Sequence, residues 1–179
     1  MIVVLKSDDT YLFSPRMKER LIYLCIGGNL GEREANLEET RMFLNFNFGD
    51  VVAASSIYET EAWGMPNAPA FLNQIVLIKT TLTDAELLQE IAELEEFYGR
   101  EREAGQYLNR EMDVDVVFIG DEIIETEKLV VPHPRMHLRR FVLVPMSELA
   151  PDFVHPISKK SMEELLKECQ DQSKVTKIG

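Results

Sequence analysis

The stretch FLNQIVLIKTTLTDAELLQEIAELEEFYG, residues 71–99, decides the fold. Residues 71–82 are mostly apolar and β-branched, which is typical of a strand. The second part predicts a helix, because Thr83 and Glu86 form a capping box and apolar residues follow at helical spacing. Gly99 is expected to end that helix. A strand that runs into a capped helix is the unit around which the rest of the chain is arranged.

Strands and helices alternate on both sides of this unit. Ahead of it, residues 20–31 predict a strand ended by glycines, residues 32–46 a helix and residues 51–62 a strand. After it, residues 112–120 predict a strand. The resulting order, βαββαβ, predicts an α+β, ferredoxin-like fold: an antiparallel sheet with two helices on one face.

A C-terminal extension follows this pattern. Gly120 and Asp121 are expected to turn the strand at 112–120 into a short hairpin strand at 122–125. Pro134 is expected to open a helix within residues 135–143, and Ser161 and Glu164 cap a short final helix.

Length and composition fit one globular domain. The chain has 179 residues, of which 45% are hydrophobic and 28% charged. No apolar run approaches the ~20 residues of a membrane span, and no signal peptide is evident. Cys25 and Cys169 are isolated, which favours a reduced, cytoplasmic protein. We expect a monomer with a single domain at 17–179, and a flexible leader at 1–16.

The charge excludes one class of partner. A net charge of −12 argues against nucleic acid, because phosphate-backbone binding needs a basic surface. A small polyanion at a local basic cluster remains compatible with it. Six arginines are close in sequence: Arg100, Arg102, Arg110, Arg135, Arg139 and Arg140. The same segment also contains many acidic residues, and most arginines of this kind face solvent.

Two carboxylates begin the strand at 112–120. Asp113 and Asp115 are two residues apart, so they project from the same face of a strand, about 7 Å apart. Magnesium prefers oxygen ligands and usually binds one or two carboxylates together with substrate phosphates. Two such ions are used in phosphoryl transfer. The alternative is a solvated strand end, but Arg110 would help to neutralise a bound phosphate.

Glycine-rich and aromatic motifs suggest further contacts. Gly27, Gly28 and Gly31 favour a tight strand-to-helix turn that approaches a neighbour closely. The alternative is a turn that binds phosphate, although IGGNLGER is neither a Walker A nor a G-x-G-x-x-G motif. Trp63, Phe71 and Asn73 suit the binding of a flat heterocycle, although such aromatics more often serve packing.

The segment VPHPRMHLRRF contains histidines without zinc spacing. His133 and His137 are separated by Pro134, and no third ligand is evident, so we reject zinc. Arg139 and His133 are candidates for phosphate contacts, and Phe141 is a candidate for the heterocycle.

Seven segments in the right order, from about Leu21 to Pro156, resemble the 6-hydroxymethyl-7,8-dihydropterin pyrophosphokinase family of folate biosynthesis. These segments are YLCIGGNLG, SSIYETEAWG, FLNQIVLIKTTL, LEEFYGRER, REMDVDVVFIG, LVVPHP and RRFVLVPMSELAP. The resemblance implies a ferredoxin-like fold and transfer of pyrophosphate from ATP to the pterin hydroxymethyl group, leaving AMP. It also implies two Mg²⁺ ions, ligated by Asp113 and Asp115 together with triphosphate oxygens.

The resemblance also implies roles for individual residues. The pterin would stack between Phe71 and Phe141, its edge read by Asn73, with Trp63 and Gly64 also in its pocket. Arg102 would lie in a catalytic loop and act with Arg100 and the two aspartates. ATP would contact Glu95, Arg100, Arg110, Leu129, His133 and Arg139.

The chain departs from the family pattern before the aspartate pair. Gln106, Leu108 and Asn109 stand where many members carry a basic residue, glycine and proline, Tyr107 stands where Trp is frequent, and Glu101 and Glu103 dilute the basic loop. These differences concern the grip of the loop on ATP rather than the metal site. The rival interpretations are another two-aspartate enzyme of this fold, such as a nucleotidyl cyclase, and a non-catalytic ligand-binding module.

Overall fold

A computed structural model describes residues 18–62, 67–99 and 109–178. The predicted leader at 1–16 therefore lies outside the described residues. The strands are β1 Arg20–Gly28, β2 Asp50–Ala54, β3 Ile57–Thr60, β4 Phe71–Thr80, β5 Asp113–Ile119, β6 Ile124–Glu125, β7 Val130–Val131 and β8 Val175–Ile178. The helices are α1 Arg33–Asn47, α2 Asp84–Phe97, α3 Arg140–Leu149 and α4 Met162–Glu168, with a short 3-10 helix at Met136–Leu138.

The main sheet is antiparallel at every pairing. Its strand order within the described residues is β5-β1-β4-β3-β8, and β2 also pairs with β4. Because β2 and β3 both pair with β4, they act as one interrupted strand. The predicted ferredoxin-like βαββαβ order is confirmed, as are both capping boxes, at Thr83 and at Ser161.

The predicted strand at 51–62 is interrupted at Ser55. The Ser55 N–H donates to the Ile75 carbonyl at 2.9 Å, and the Ile75 N–H donates to Ser55 Oγ at 3.0 Å. A side-chain oxygen thus takes the place of a backbone carbonyl in the ladder. This substitution separates β2 from β3.

In the extension the predicted hairpin was wrong, and the predicted helix within 135–143 is confirmed in part. The turn at Gly120 forms, and the Glu122 N–H donates to the Ile119 carbonyl at 2.9 Å, but residues 122–125 do not pair with β5. Instead β6 pairs with β7 in a separate two-stranded sheet. After Pro134 the Arg135 N–H donates to His133 Nδ1 at 3.1 Å, and the chain forms only the short 3-10 helix at Met136–Leu138. The helix α3 begins only at Arg140.

Helices cover both faces of the sheet. On one face α1 and α2 pack on alternate β1 residues such as Ile22 and Leu24. On the other face α3 and α4, which belong to the extension, pack on Tyr23 and Cys25. The extension thus encloses the face of the sheet that the two predicted helices leave open. None of the helices in the described ranges has the length and apolar character that a membrane span requires.

Candidate active site

The centre of the site is the end of β1, where two glycines follow the apolar strand. Gly27 lies opposite Asn73 on β4 and opposite Asp113 on β5. A Cβ at Gly27 would lie 2.5 Å from Asn73 Oδ1 and 2.8 Å from the Leu72 carbonyl oxygen. At Gly28 it would overlap the carbonyl of Glu111. The predicted close approach at these glycines is confirmed.

The two aspartates share one face of β5, as their spacing predicts. Asp113 pairs with Gly27 and Asp115 with Cys25, so both project toward the face that α3 covers. Their side chains are 26% and 36% exposed. Burial raises the pKa of the Cys25 thiol, and the charges of Asp115 and Asp113 raise it further. The charges of both carboxylates therefore reach the same thiol, on the face of the sheet that α3 covers.

Basic groups lie beside each carboxylate. Arg110 Nη1 is 2.7 Å from Asp113 Oδ2, and Arg139 Nη1 is 3.4 Å from Asp115 Oδ2. His133 Nε2 is 3.9 Å from the same Asp115 oxygen. Three residues predicted to contact phosphate, Arg110, His133 and Arg139, thus lie beside the two aspartates. Burial, followed by the charges of Arg139 and Arg135, lowers the pKa of His133 to about 4. The imidazole is neutral at pH 7, so its contact with Asp115 is not an ion pair.

Glu95 supports the strand that carries the aspartates. It is 3% exposed on α2, and its Oε1 accepts the Val114 N–H at 3.3 Å. Val114 lies between the two aspartates on β5, which is an edge strand of the described sheet. Leu129 is buried in the core beneath α1 and α2. The predicted nucleotide contacts of Glu95 and Leu129 stay predictions.

Among the residues predicted to bind a heterocycle, Asn73 lies on β4, across Gly27 from Asp113. Asn73 is 5% exposed, and its Nδ2 donates to Thr60 Oγ1 at 2.9 Å. Phe71 precedes it by two residues on β4 and so shares its face. Phe141 is in the first turn of α3, where the Arg139 guanidinium carbon is 5.5 Å from its ring centre. Arg139 thus contacts both Asp115 and an aromatic ring that is predicted to stack on the heterocycle.

Asn29 is a buried residue that sequence reasoning missed. It is 2% exposed, and its amide contacts the Pro69 carbonyl at 3.1 Å and the Arg110 N–H at 2.9 Å. It therefore joins the segments that lead into β4 and β5. The sequence feature that could have indicated this role is an amide residue directly after the glycine pair at 27 and 28.

Four residues predicted for the site lie outside the described ranges: Trp63, Gly64, Arg100 and Arg102.

A divalent cation fits the donor set of this site. No group of three or more His, Cys, Asp and Glu side chains in the described ranges is arranged to hold a metal ion. The donors here are two partly exposed carboxylates. That set suits Mg²⁺, which takes oxygen ligands and commonly completes its shell with water and substrate phosphates.

Comparison with known proteins gives one consistent result. The family model for 7,8-dihydro-6-hydroxymethylpterin-pyrophosphokinase matches residues 23–151. The 2-amino-4-hydroxy-6-hydroxymethyldihydropteridine pyrophosphokinase of Aquifex aeolicus is 36% identical over 143 residues, covering 80% of this chain and 88% of that protein. The enzyme of the same name from Bacillus subtilis is 41% identical over 130 residues, covering 72% of this chain and 77% of that one.

Solved structures confirm the fold. A crystal structure of a Plasmodium falciparum HPPK-DHPS triple mutant superposes with a TM-score of 0.67 at 17% identity. It covers 87% of this chain, which spans only 45% of that longer protein. On the family match and the curated relatives, the chain belongs to the 7,8-dihydro-6-hydroxymethylpterin pyrophosphokinase family and transfers pyrophosphate to the hydroxymethyldihydropterin of folate biosynthesis.

Proposed function

We propose that this chain binds ATP and the dihydropterin on opposite sides of Gly27, and that Asp113 and Asp115 hold two Mg²⁺ ions on the ATP side. Use of ATP as the co-substrate is a property of the family. The observation that carries the proposal is the register across β1, which sets Asn73 and Asp113 on either side of a residue without a side chain.

The pterin side would use one amide and two aromatic rings. The Asn73 amide is nearly inaccessible to solvent and can accept or donate hydrogen bonds at the edge of a heterocycle. Phe71 and Phe141 lie on the same face of the sheet and suit stacking on both sides of a flat ring. The missing side chain at Gly27 lets the Asn73 amide lie close against the β1 backbone, since a Cβ there would be 2.5 Å from Asn73 Oδ1.

On the ATP side, the chain would supply oxygen ligands and positive charge. When bound, Mg²⁺ would neutralise the triphosphate and favour departure of AMP. Arg110 and Arg139 lie beside the aspartates, at 2.7 and 3.4 Å, and would contact phosphate oxygens. The neutral His133 can donate one hydrogen bond without adding charge.

Transfer would then depend on position rather than on a covalent intermediate. The pterin hydroxyl oxygen attacks the β-phosphorus of ATP, the bond from that phosphorus to the α–β bridging oxygen breaks, and AMP leaves while the hydroxyl proton is lost. The residues on the two sides of Gly27 would bring the reacting atoms together and oppose the charge of the phosphates. We also propose that the protein is monomeric and cytoplasmic. Its two cysteines are free and buried, which favours a reducing compartment.

Cation binding tests this proposal without turnover. Titration calorimetry would measure Mg²⁺ binding to the protein with a non-transferable ATP analogue, for the wild type and Asp113→Asn. We expect the variant to bind the Mg²⁺–analogue complex at least tenfold more weakly. Asp121→Asn, an exposed aspartate in the turn after β5, is the matched control. Equal affinity in Asp113→Asn and the wild type would contradict the metal assignment.

A further inference from the structure

The segment that enters β5 is held against the end of β1 around Asn29. The backbone N–H groups of Asn29 and Leu30 both donate to the Arg110 carbonyl, at 2.9 and 3.2 Å. The Arg110 N–H in turn donates to Asn29 Oδ1 at 2.9 Å. Gly28 allows this contact, because a Cβ there would overlap the Glu111 carbonyl. The backbone is thus fixed on both sides of Arg110.

Asn109 adds a side-chain bond to this cluster. Asn29 Nδ2 donates to Asn109 Oδ1 at 2.7 Å. Asn29 is 2% exposed, so water cannot readily replace a lost partner of its amide. Asn109 itself is exposed, so its contribution comes from this hydrogen bond rather than from packing. The bond fixes the residue that directly precedes Arg110.

We propose that Asn109 is a positioning residue for Arg110. When Asn109 is bound to Asn29, the residue before Arg110 is held in one conformation. Arg110 Nη1 then lies 2.7 Å from Asp113 Oδ2. Without the bond, residue 109 gains rotational freedom and Arg110 spends less time in the geometry that phosphate binding requires. This inference rests on the proposed role of Arg110 at the ATP phosphates.

Two substitutions at Asn109 separate the hydrogen bond from the side-chain volume. Asn109→Ala removes the acceptor, whereas Asn109→Asp retains an oxygen that can accept from Asn29 Nδ2. We expect Asn109→Ala to lower kcat/KM for ATP about two- to tenfold, the range for one hydrogen bond. Asn109→Asp keeps the acceptor but adds a negative charge beside Arg110, and it is expected to lose less kcat/KM for ATP than Asn109→Ala. The Kd for pterin alone should be the same in all three proteins.

A double-mutant cycle tests whether Asn109 acts through Arg110. In the Arg110→Ala background, Asn109→Ala should change kcat/KM for ATP less than about twofold, because the group that it positions is already absent. Fully additive effects would overturn the proposal, and so would an Asn109→Ala enzyme equal to the wild type. Mg²⁺ binding by Asp113→Asn, measured in parallel, distinguishes failure of this inference from failure of the proposed metal site.

Discussion

Asn73 and Asp113 lie opposite the same residue, Gly27, from the two strands that flank β1. Two strand spacings separate their backbones by about 10 Å. An amide suited to a heterocycle and a carboxylate suited to a metal ion are thus held at a distance set by the sheet itself. The missing side chain at Gly27 allows Asn73 Oδ1 to approach the β1 backbone, since a Cβ there would lie 2.5 Å from that oxygen.

Replacement of Asn73 by alanine should weaken pterin binding selectively. Loss of a buried hydrogen-bonding group costs about 1–3 kcal/mol, which corresponds to a rise in the pterin Kd of about five- to 150-fold. The Kd for an ATP analogue should change less than about twofold. Calorimetry on both ligands measures this. Asn47→Ala, on α1, is the matched control, and an unaltered pterin Kd in Asn73→Ala would remove Asn73 from the pocket.

A methyl group at Gly27 should damage both stability and pterin binding. In Gly27→Ala the new Cβ would lie 2.5 Å from Asn73 Oδ1 and 2.8 Å from the Leu72 carbonyl oxygen. A backbone carbonyl can yield only if β4 shifts, so we expect a loss of about 1–3 kcal/mol in the free energy of unfolding. Urea denaturation measures this loss. A variant as stable as the wild type, with the same pterin Kd, would show that the close approach of β4 at Gly27 is not needed.

The sequence predicted the elements of the sheet well where local signals agree. The strand and the capped helix at 71–99 carry periodicity, a capping box and a terminal glycine together, and both formed. The interruption at Ser55 was not predictable, because it depends on a side-chain oxygen that pairs with Ile75 across the sheet. The strand β8 was missed for a similar reason, since it is short and forms against β3.

The candidate site was predictable only in part. The spacing of Asp113 and Asp115 gave their common face, and the structure confirms it. Asn29 forms hydrogen bonds with Pro69 and Asn109, which are 40 and 80 positions away in the sequence. A local sequence pattern does not reveal contacts between such distant residues. The roles of Arg100 and Arg102 stay predictions, since both lie outside the described residues.

Asn29 should be important for stability as well as for activity. In Asn29→Ala the Arg110 N–H and the Pro69 carbonyl lose a partner whose side chain is 2% exposed. We expect the free energy of unfolding to fall by about 2–3 kcal/mol. Asn36→Ala is the control, because the Asn36 amide is exposed and makes a long contact of 3.5 Å with the Leu30 carbonyl. Equal stability of the two variants would contradict the account of Asn29.

Glu148 should make stability depend on pH. Its carboxylate, on α3, contacts Ser56 N and Oγ at 2.8 Å each, Tyr58 Oη at 3.1 Å and Lys177 Nζ at 2.9 Å. Burial alone would raise the pKa of Glu148, but bonds from Lys177, Ser56 and Tyr58 lower it from 4.5 to about 2. Because folding lowers this pKa, the ionised Glu148 carboxylate stabilises the protein at pH values above 4.5. This contribution is lost as the pH falls toward 2.

Glu148→Gln tests this dependence. We expect the variant to be less stable than the wild type by about 1–2 kcal/mol at pH 7. The difference should shrink as the pH falls from about 4.5 toward 2, because the wild-type carboxylate is then protonated as well. Urea denaturation at pH 7, 4 and 3 measures it, with Glu38→Gln, exposed on α1, as control. A difference that is constant with pH would contradict the assignment.

The most direct test of the central claim is AMP formation from ATP and Mg²⁺, measured with and without 6-hydroxymethyl-7,8-dihydropterin. The wild type and the control Asp121→Asn should form AMP only when both Mg²⁺ and the pterin are present. Asp115→Asn, which keeps the shape of the side chain, should be at least about 100-fold slower with an unfolding midpoint close to that of the wild type. Undiminished AMP formation by a folded Asp115→Asn enzyme would contradict the claim that the aspartate pair on β5 holds the metal ions.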